Sequence, residues 1–245
     1  MTTTEAPPAI AMHMSDGIVN APMSALFGLI ALVGIAVCVR FARTELDQRT
    51  VPMACLVAAF VFAVQMVNFP ILPGVSGHLL GGALVAILVG PFTGALSIAI
   101  VLVVQAVLFA DGGVSALGTN ITNMAIIGLG VSFVVAAVLY RVLGRRQSGD
   151  GTVPVGALGI IAFLSAAIGT LAAALGFVLE HTMGGAGSSS LGEVATYMAG
   201  THVLIGIGEG LITAVTVMVI ARARPDMVYL LQTSPVAPHT AGVHA

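Results

Sequence analysis

The chain has 245 residues, of which 58% are apolar and 7% charged, with a formal net charge of −2 and a mean hydropathy of +1.09. That balance excludes a soluble domain of this size and implies an integral membrane protein. All eight basic residues are arginines, so a P-loop, a retinal Schiff base and a pyridoxal phosphate site, each built on lysine, are excluded too; active transport would need a partner chain or an ion gradient.

Residues 1–11, MTTTEAPPAIA, carry neither a basic nor an apolar region and read as a short disordered extension rather than a signal peptide. After them comes MHMSDG at 12–17, which has the look of a second beginning. Apolar runs then follow at 21–39, 51–69, 79–110, 120–139, 155–179 and 198–220. About 20 helical residues cross the roughly 30 Å hydrocarbon layer, so five of the six runs are single spans. The run 79–110 is long for one crossing and tight for two, with Pro91 near its middle. Only a double crossing, turning around Gly90, Pro91 and Phe92, puts the arginine clusters at 40–49, 141–146 and 222–224 on one side of the membrane. The expectation is therefore an all-α polytopic protein of seven transmembrane helices over residues 12–222. Its N-terminus lies outside, and residues 223–245 form a disordered cytoplasmic tail.

This topology brings MHMSDG and the segment at 70–78, PILPGVSGH, to the same outer face. If Met12 is the first residue of the mature chain, its α-amine, the deprotonated amide nitrogen of His13 and the His13 imidazole form fused chelate rings around one metal. His78 can fill the fourth corner. A planar four-nitrogen set suits Ni(II) or Cu(II), and Co(II) less surely. Such a set must lose protons to bind, so affinity should rise with pH.

Other polar groups lie within the apolar runs. Gln65 and Asn68 are three residues apart and share a helical face. Gln105, Asn120 and Asn123 are likewise too polar for lipid, and either orient the N-terminal segment and the imidazoles or join helices by hydrogen bonds. Asp111 lies in an outer loop, where its carboxylate either attracts cations or caps the next element, and capping is favoured. His202, Gly206, Glu209 and Thr213 recur at helical spacing, with Glu209 roughly 16 Å along the helix from Met198 and so near mid-membrane. An ionisable group there is a functional candidate by default, and a role tying helices together is favoured over an ion path. Cys38 and Cys55 read as small buried hydrophobes, and His181 as a solvated loop residue. Ala54 with Ala58, and Ala59 with Ala63, let a neighbouring helix approach closely.

The stretches MHMSDGIVNAP, NFPILPGVSGHLLGG, VQAVLFADGGVSALGTNITNM and THVLIGIGEGLIT, in this order, resemble the CbiM/NikM family of substrate-specific membrane components of cobalt and nickel energy-coupling factor (ECF) importers. The resemblance runs from Met12 to about Arg222. It implies a seven-helix bundle whose N-terminus folds inward, with Met12, His13 and His78 as metal ligands and Co2+ or Ni2+ as the transported substrate. It also implies a transmembrane coupling protein, ATPase subunits and often a small accessory membrane protein as partners, in the cytoplasmic (inner) membrane of a prokaryote. No nucleotide and no nucleic acid is expected on this chain. Cobalt would lead to cobalamin synthesis, nickel to enzymes such as urease or hydrogenase. The extension 1–11 departs from the pattern, because it turns the Met12 amine into an amide; Met12 is therefore expected to be the true start. A rival reading is a stand-alone, gradient-driven divalent cation carrier using His202 and Glu209, although no inverted repeat is evident. An intramembrane metalloenzyme is disfavoured, since no H-E-x-x-H occurs.

Overall fold

The computed structural model describes residues 13–48, 50–67, 69–72, 75–147, 153–185 and 190–232. Met12, Asn68, the extension 1–11 and the last residues of the tail, 233–245, lie outside them. Among the described residues the order is α1 (Ala21–Ala42), α2 (Thr50–Gln65), strands β1 (Phe69–Leu72) and β2 (Val75–Gly77), α3 (Gly82–Val89), α4 (Pro91–Leu108) and α5 (Leu117–Ile121). A wider π-helical stretch (Thr122–Gly128) joins α5 to α6 (Leu129–Gln147), and α7 (Val155–Gly184), α8 (Leu191–Ala223) and α9 (Tyr229–Gln232) complete the chain. The fold is helical apart from the antiparallel β1–β2 hairpin.

Among the described residues five helices are long and apolar enough to cross a membrane: α1, α4, the continuous helix Leu117–Leu143, α7 and α8. The 16-residue α2 is apolar but shorter. Leucine, isoleucine and valine side chains cover the outer surfaces of these helices, among them Leu32, Leu56, Ile100, Val107, Leu179 and Leu204. A bundle dissolved in lipid presents such a surface, since nothing drives it to hide apolar groups there.

The run 79–110 breaks where expected, at Gly90, whose φ of +95° only glycine adopts readily. Its first half differs from expectation. Instead of a tilted membrane helix, α3 has eight residues, about 12 Å, too short to cross. All eight are buried. The residues preceding α3 are spent on the hairpin and the non-helical stretch 78–81, so α3 enters the bundle as a half-length central helix against α4, α6 and α7.

The inner helices meet through small residues. A Cβ on Gly169 would strike Ser132, and one on Gly118 would strike the Gly28 backbone. Gly206 lies against the Ala167 backbone, at 3.1 Å from an added Cβ. The alanines of α2 are mixed: Ala54 is buried, whereas Ala59 and Ala63 face outward. Cys38 is buried but Cys55 is exposed, so only one of the two fits the expected buried position.

The region expected to be a disordered tail is ordered in its first part. Pro225–Met227 forms a 3-10 turn, α9 follows, and Val228 and Leu230 are buried beneath α3. Glu45 organises this end of the bundle. Its carboxylate accepts from Phe92 N at 3.2 Å and Thr93 N at 2.6 Å, two donors of the first turn of α4 that have no helical partner. Gly90 passes so close that an added Cβ would lie 2.6 Å from Glu45 Cδ. Gly90→Ala should therefore lower stability by about 2 kcal/mol or more, combining left-handed backbone strain with that clash. Thermal unfolding of the purified protein in detergent measures it.

Candidate metal centre

The described chain begins at His13 and runs into the bundle rather than away from it. Asn120, at the head of the Leu117–Leu143 helix, holds Met14 on both sides: its Oδ1 accepts from Met14 N at 2.8 Å and its Nδ2 donates to Met14 O at 3.1 Å. Gly113 N donates to the same carbonyl at 2.9 Å. Asp16 accepts from Ser115 N and Oγ, at 2.7 and 2.5 Å, which holds its carboxyl below the usual range. Farther on, Asn20 N donates to Gly184 O at 2.8 Å. The Met14 side chain is fully buried among Ala116, Ala174, Phe177 and Met198. Residues 13–20 thus form a plug held by side-chain and backbone groups far away in sequence.

His13 and His78 are each 2% exposed, and their rings face one another with centroids 4.4 Å apart and planes 45° apart. His78 Nδ1 lies 3.0 Å from the Leu79 carbonyl. A carbonyl can only accept, so the neutral ring donates from Nδ1 and its Nε2 keeps a lone pair. That Nε2 and the His13 Nε2 are buried and unpartnered. A free imidazole lone pair, such as that on His78 Nε2, suits a borderline transition metal.

The non-helical stretch carrying His78 is clamped from three helices. Glu209 accepts from Leu80 N at 2.9 Å and from Gly81 N at 3.0 Å, while Thr170 Oγ1 donates to the same carboxylate at 3.0 Å. Gln65 Nε2 donates to Leu80 O at 2.7 Å. Gly81 turns the chain with φ +78° and leaves no room beside Val61. The remaining polar candidates are also internal. His202 Nδ1 lies 2.7 Å from Met198 O, one turn earlier on α8. Asn123 Nδ2 donates to Glu180 Oε2 at 2.6 Å. Gln105 is fully buried with neither side-chain atom paired among the described residues, while its backbone carbonyl accepts from Asp111 N.

Asp111 is not a helix cap. Its Oδ1 lies 3.2 Å from His13 Nδ1, an ion-pair distance without the alignment of a good hydrogen bond, and the histidine holds the carboxyl below its usual pKa. Its sequence gave a weak signal, an acidic residue before two glycines, because facing inward depends on the fold. Glu180 was the clearer omission: it is an acid at membrane depth, the same criterion that flags Glu209. His181, expected in a solvated loop, lies in α7 with its ring stacked on Phe177 at 6.4 Å. Among the described residues no group of three or more His, Cys, Asp or Glu is arranged to hold a metal.

The fold and this plugged, histidine-bearing centre define a polytopic membrane protein of the metal-transport class. The family described as "Cobalt uptake substrate-specific transmembrane region" matches residues 13–227, and the chain belongs to it. It is a component of metal transport and not an enzyme. A protein named "Putative metal transport protein" from Haloquadratum walsbyi is 36% identical over 89% of this chain and 94% of its own length. The "Putative fused nickel transport protein NikMN" of Archaeoglobus fulgidus is also 36% identical, over 89% of this chain and 68% of its own. "Cobalt transport protein CbiM" of Kyrpidia tusciae is 29% identical over 94% and 92%. A crystal structure described as a truncated transition metal transporter superposes with a TM-score of 0.72 at 26% identity, covering 86% of this chain and 99% of that one.

One outcome follows from this geometry. Asn120→Ala removes both bonds to Met14 from a buried site; about 1–3 kcal/mol of local stability should go with each polar group left unpaired, and amide exchange at Met14 and Ser15 should accelerate while that of α7 stays slow.

Proposed function

We propose that this chain is the substrate-capturing membrane subunit of an ATP-driven, ECF-type importer of cobalt or nickel. The observation that carries the reading is the burial of the His13 and His78 rings face to face, 4.4 Å apart, at the end of an inward-folded N-terminal segment. In this reading the Met12 amine, the His13 amide nitrogen, the His13 imidazole and His78 Nε2 hold Co2+ or Ni2+ as cargo. The Met12 amine is available once residues 1–11 are absent from the mature protein. Gln65 and Glu209 hold the His78 stretch; Asn120 holds the plug; Asn123, Gln105 and His202 supply internal polar support, as would Asn68.

The same reading takes the chain as passing seven times through the inner membrane of a prokaryote, the half-length α3 with its lead-in completing one passage, the N-terminus outside and the C-terminus in the cytoplasm. Energy comes from ATPase subunits acting through a transmembrane coupling protein, with a small accessory membrane protein alongside. The absence of lysine supports a separate ATPase. Glu209 favours this over the gradient-driven carrier: a carboxylate holding three donors is a structural tie, and a proton relay needs a freer group.

Inactivating the partner ATPase should abolish cellular uptake of cobalt or nickel, whereas a gradient-driven carrier would continue to work. In the purified protein, intact mass should show a chain beginning at Met12 with about one bound ion, and His78→Ala should lower affinity for both metals at least 100-fold.

A further inference from the structure

The His13 and His78 rings are 2% exposed, so a hydrated ion meets neither of them in the closed structure. Two layers of chain enclose them here: the plug itself and, running along it, the segment 109–116 that links α4 to α5. The two layers touch residue by residue. A Cβ on Gly112 would lie 3.2 Å from His13 Cβ, and one on Gly113 would collide with the backbone of Ser15 and Asp16. Gly113 N donates to Met14 O at 2.9 Å. Ser115 N and Oγ both donate to Asp16 Oδ1, and the peptide N–H groups of Val114 and Ala116 add to the pull on that charge. Gly113 and Ala116 are buried, whereas Val114, Ser115 and Asp16 are exposed.

The layers are unequally held. Asn120 pins the plug with two buried bonds, the Met14 side chain is fully buried, and Asn20 N is bonded to Gly184 O. Among the described residues, segment 109–116 is tied to the plug by the Gly113 bond, by the poorly aligned approach of Asp111 Oδ1 to His13 Nδ1 at 3.2 Å, and by the fastening at Asp16, which faces water. Regions held by solvent-exposed hydrogen bonds are the ones that open first. The root of the segment on α4 is firm, since Phe109 N and Asp111 N both donate to Gln105 O, at 3.1 and 3.0 Å. Between them Ala110 has φ +54°, and Gly112 follows with φ +90°. A non-glycine residue in the left-handed region is strained and persists there only where its surroundings enforce it, so opening lets Ala110 relax. Hinges are a few such positions at the end of an element.

We propose that residues 109–116 are a gate over the His13–His78 pair, hinged at Ala110 and Gly112 and latched by Ser115 on Asp16, and that the cargo ion enters and leaves when the latch opens. The passage of an ion rests on the reading of His13 and His78 as metal donors; the gate itself does not. Opening at this segment leaves the plug seated on Asn120, so both rings stay in place while one side of their enclosure is removed. The latch then governs the rate of exchange in both directions.

Two measurements on the purified full chain test this, in wild type, Asp16→Ala, Ser115→Ala, Ala110→Gly and His78→Ala. The first needs no metal: diethyl pyrocarbonate attacks an imidazole lone pair, and peptide mass follows its rate of reaction at His78. The second follows association and dissociation of Co(II) and Ni(II). In Asp16→Ala the labelling and both metal rates should rise at least about tenfold, as bonds to a charged carboxylate are lost. Ser115→Ala should move all three the same way by less, with the ratio of its two metal rates within about threefold of wild type, since the exposed hydroxyl touches only the latch. Ala110→Gly should slow all three about threefold, because glycine adopts the closed conformation without strain. Unchanged labelling and unchanged rates in Asp16→Ala overturn the gate. Faster dissociation alone, the sign of a plug merely loosened, overturns it too, as does faster exchange in Ala110→Gly. If His78→Ala binds both metals as well as wild type, the metal reading falls, and the labelling decides the gate by itself.

Discussion

The rest of this structure depends on one constraint: irregular backbone inside an apolar bundle must find its hydrogen-bond partners within the protein, because lipid offers none. The stretch from His78 to Leu80 is irregular and buried, Gly81 after it is partly so, and the plug from His13 to Met14 is buried as well. Glu209 meets the first demand with two oxygens for Leu80 N and Gly81 N, and Gln65 takes the Leu80 carbonyl. Asn120 meets the second by pairing both the N–H and the carbonyl of Met14. An unpaired peptide group in such surroundings costs several kcal/mol, so these side chains are structural necessities before they are anything else.

From that constraint the shape of the centre follows. A continuous helix would point side chains at one another only along its stripes, and its backbone nitrogens would be consumed by its own ladder. Breaking the helix before α3 and folding the N-terminal segment inward presents two imidazoles at close range, with lone pairs left free because a carbonyl takes one ring N–H of His78. The glycines and small residues where α1 meets α5, α6 meets α7 and α7 meets α8 let the helices close tightly around this arrangement. Met14, fully buried between α7, α8 and the plug, anchors the segment by dispersion and apolar burial rather than by charge.

Two buried carboxylates serve unpaired backbone donors, though in different ways. Glu45 caps the first turn of α4, beside the Gly90 break, with α9 folded beneath it. Glu209 caps no helix but the coil that leads into α3. Together they flank α3, Glu209 before its first turn and Glu45 beyond the Gly90 break. The chain belongs to a cobalt-uptake family that has relatives named for nickel as well as cobalt, and both ions accept imidazole nitrogen.

Much of this was legible in the residues alone. Composition and long apolar runs determined a helical membrane protein, since about 20 apolar residues per crossing are demanded by bilayer thickness whatever the packing. Gly90 before Pro91 marked the helix break, because local backbone preferences act at the same place in any fold. The four motifs placed the chain in its family and singled out His13 and His78. Only the tertiary structure decided that α3 is a buried half-helix, that residues 225–232 fold under it, and that Asp111 faces His13 instead of capping a helix. It also decided that Cys55 faces outward and that Glu180 is buried against Asn123. These depend on which surfaces meet between residues as far apart as 14 and 120 or 80 and 209. Hydropathy and spacing report a residue's own preference for water or lipid, and carry nothing about the distant partner that will satisfy it.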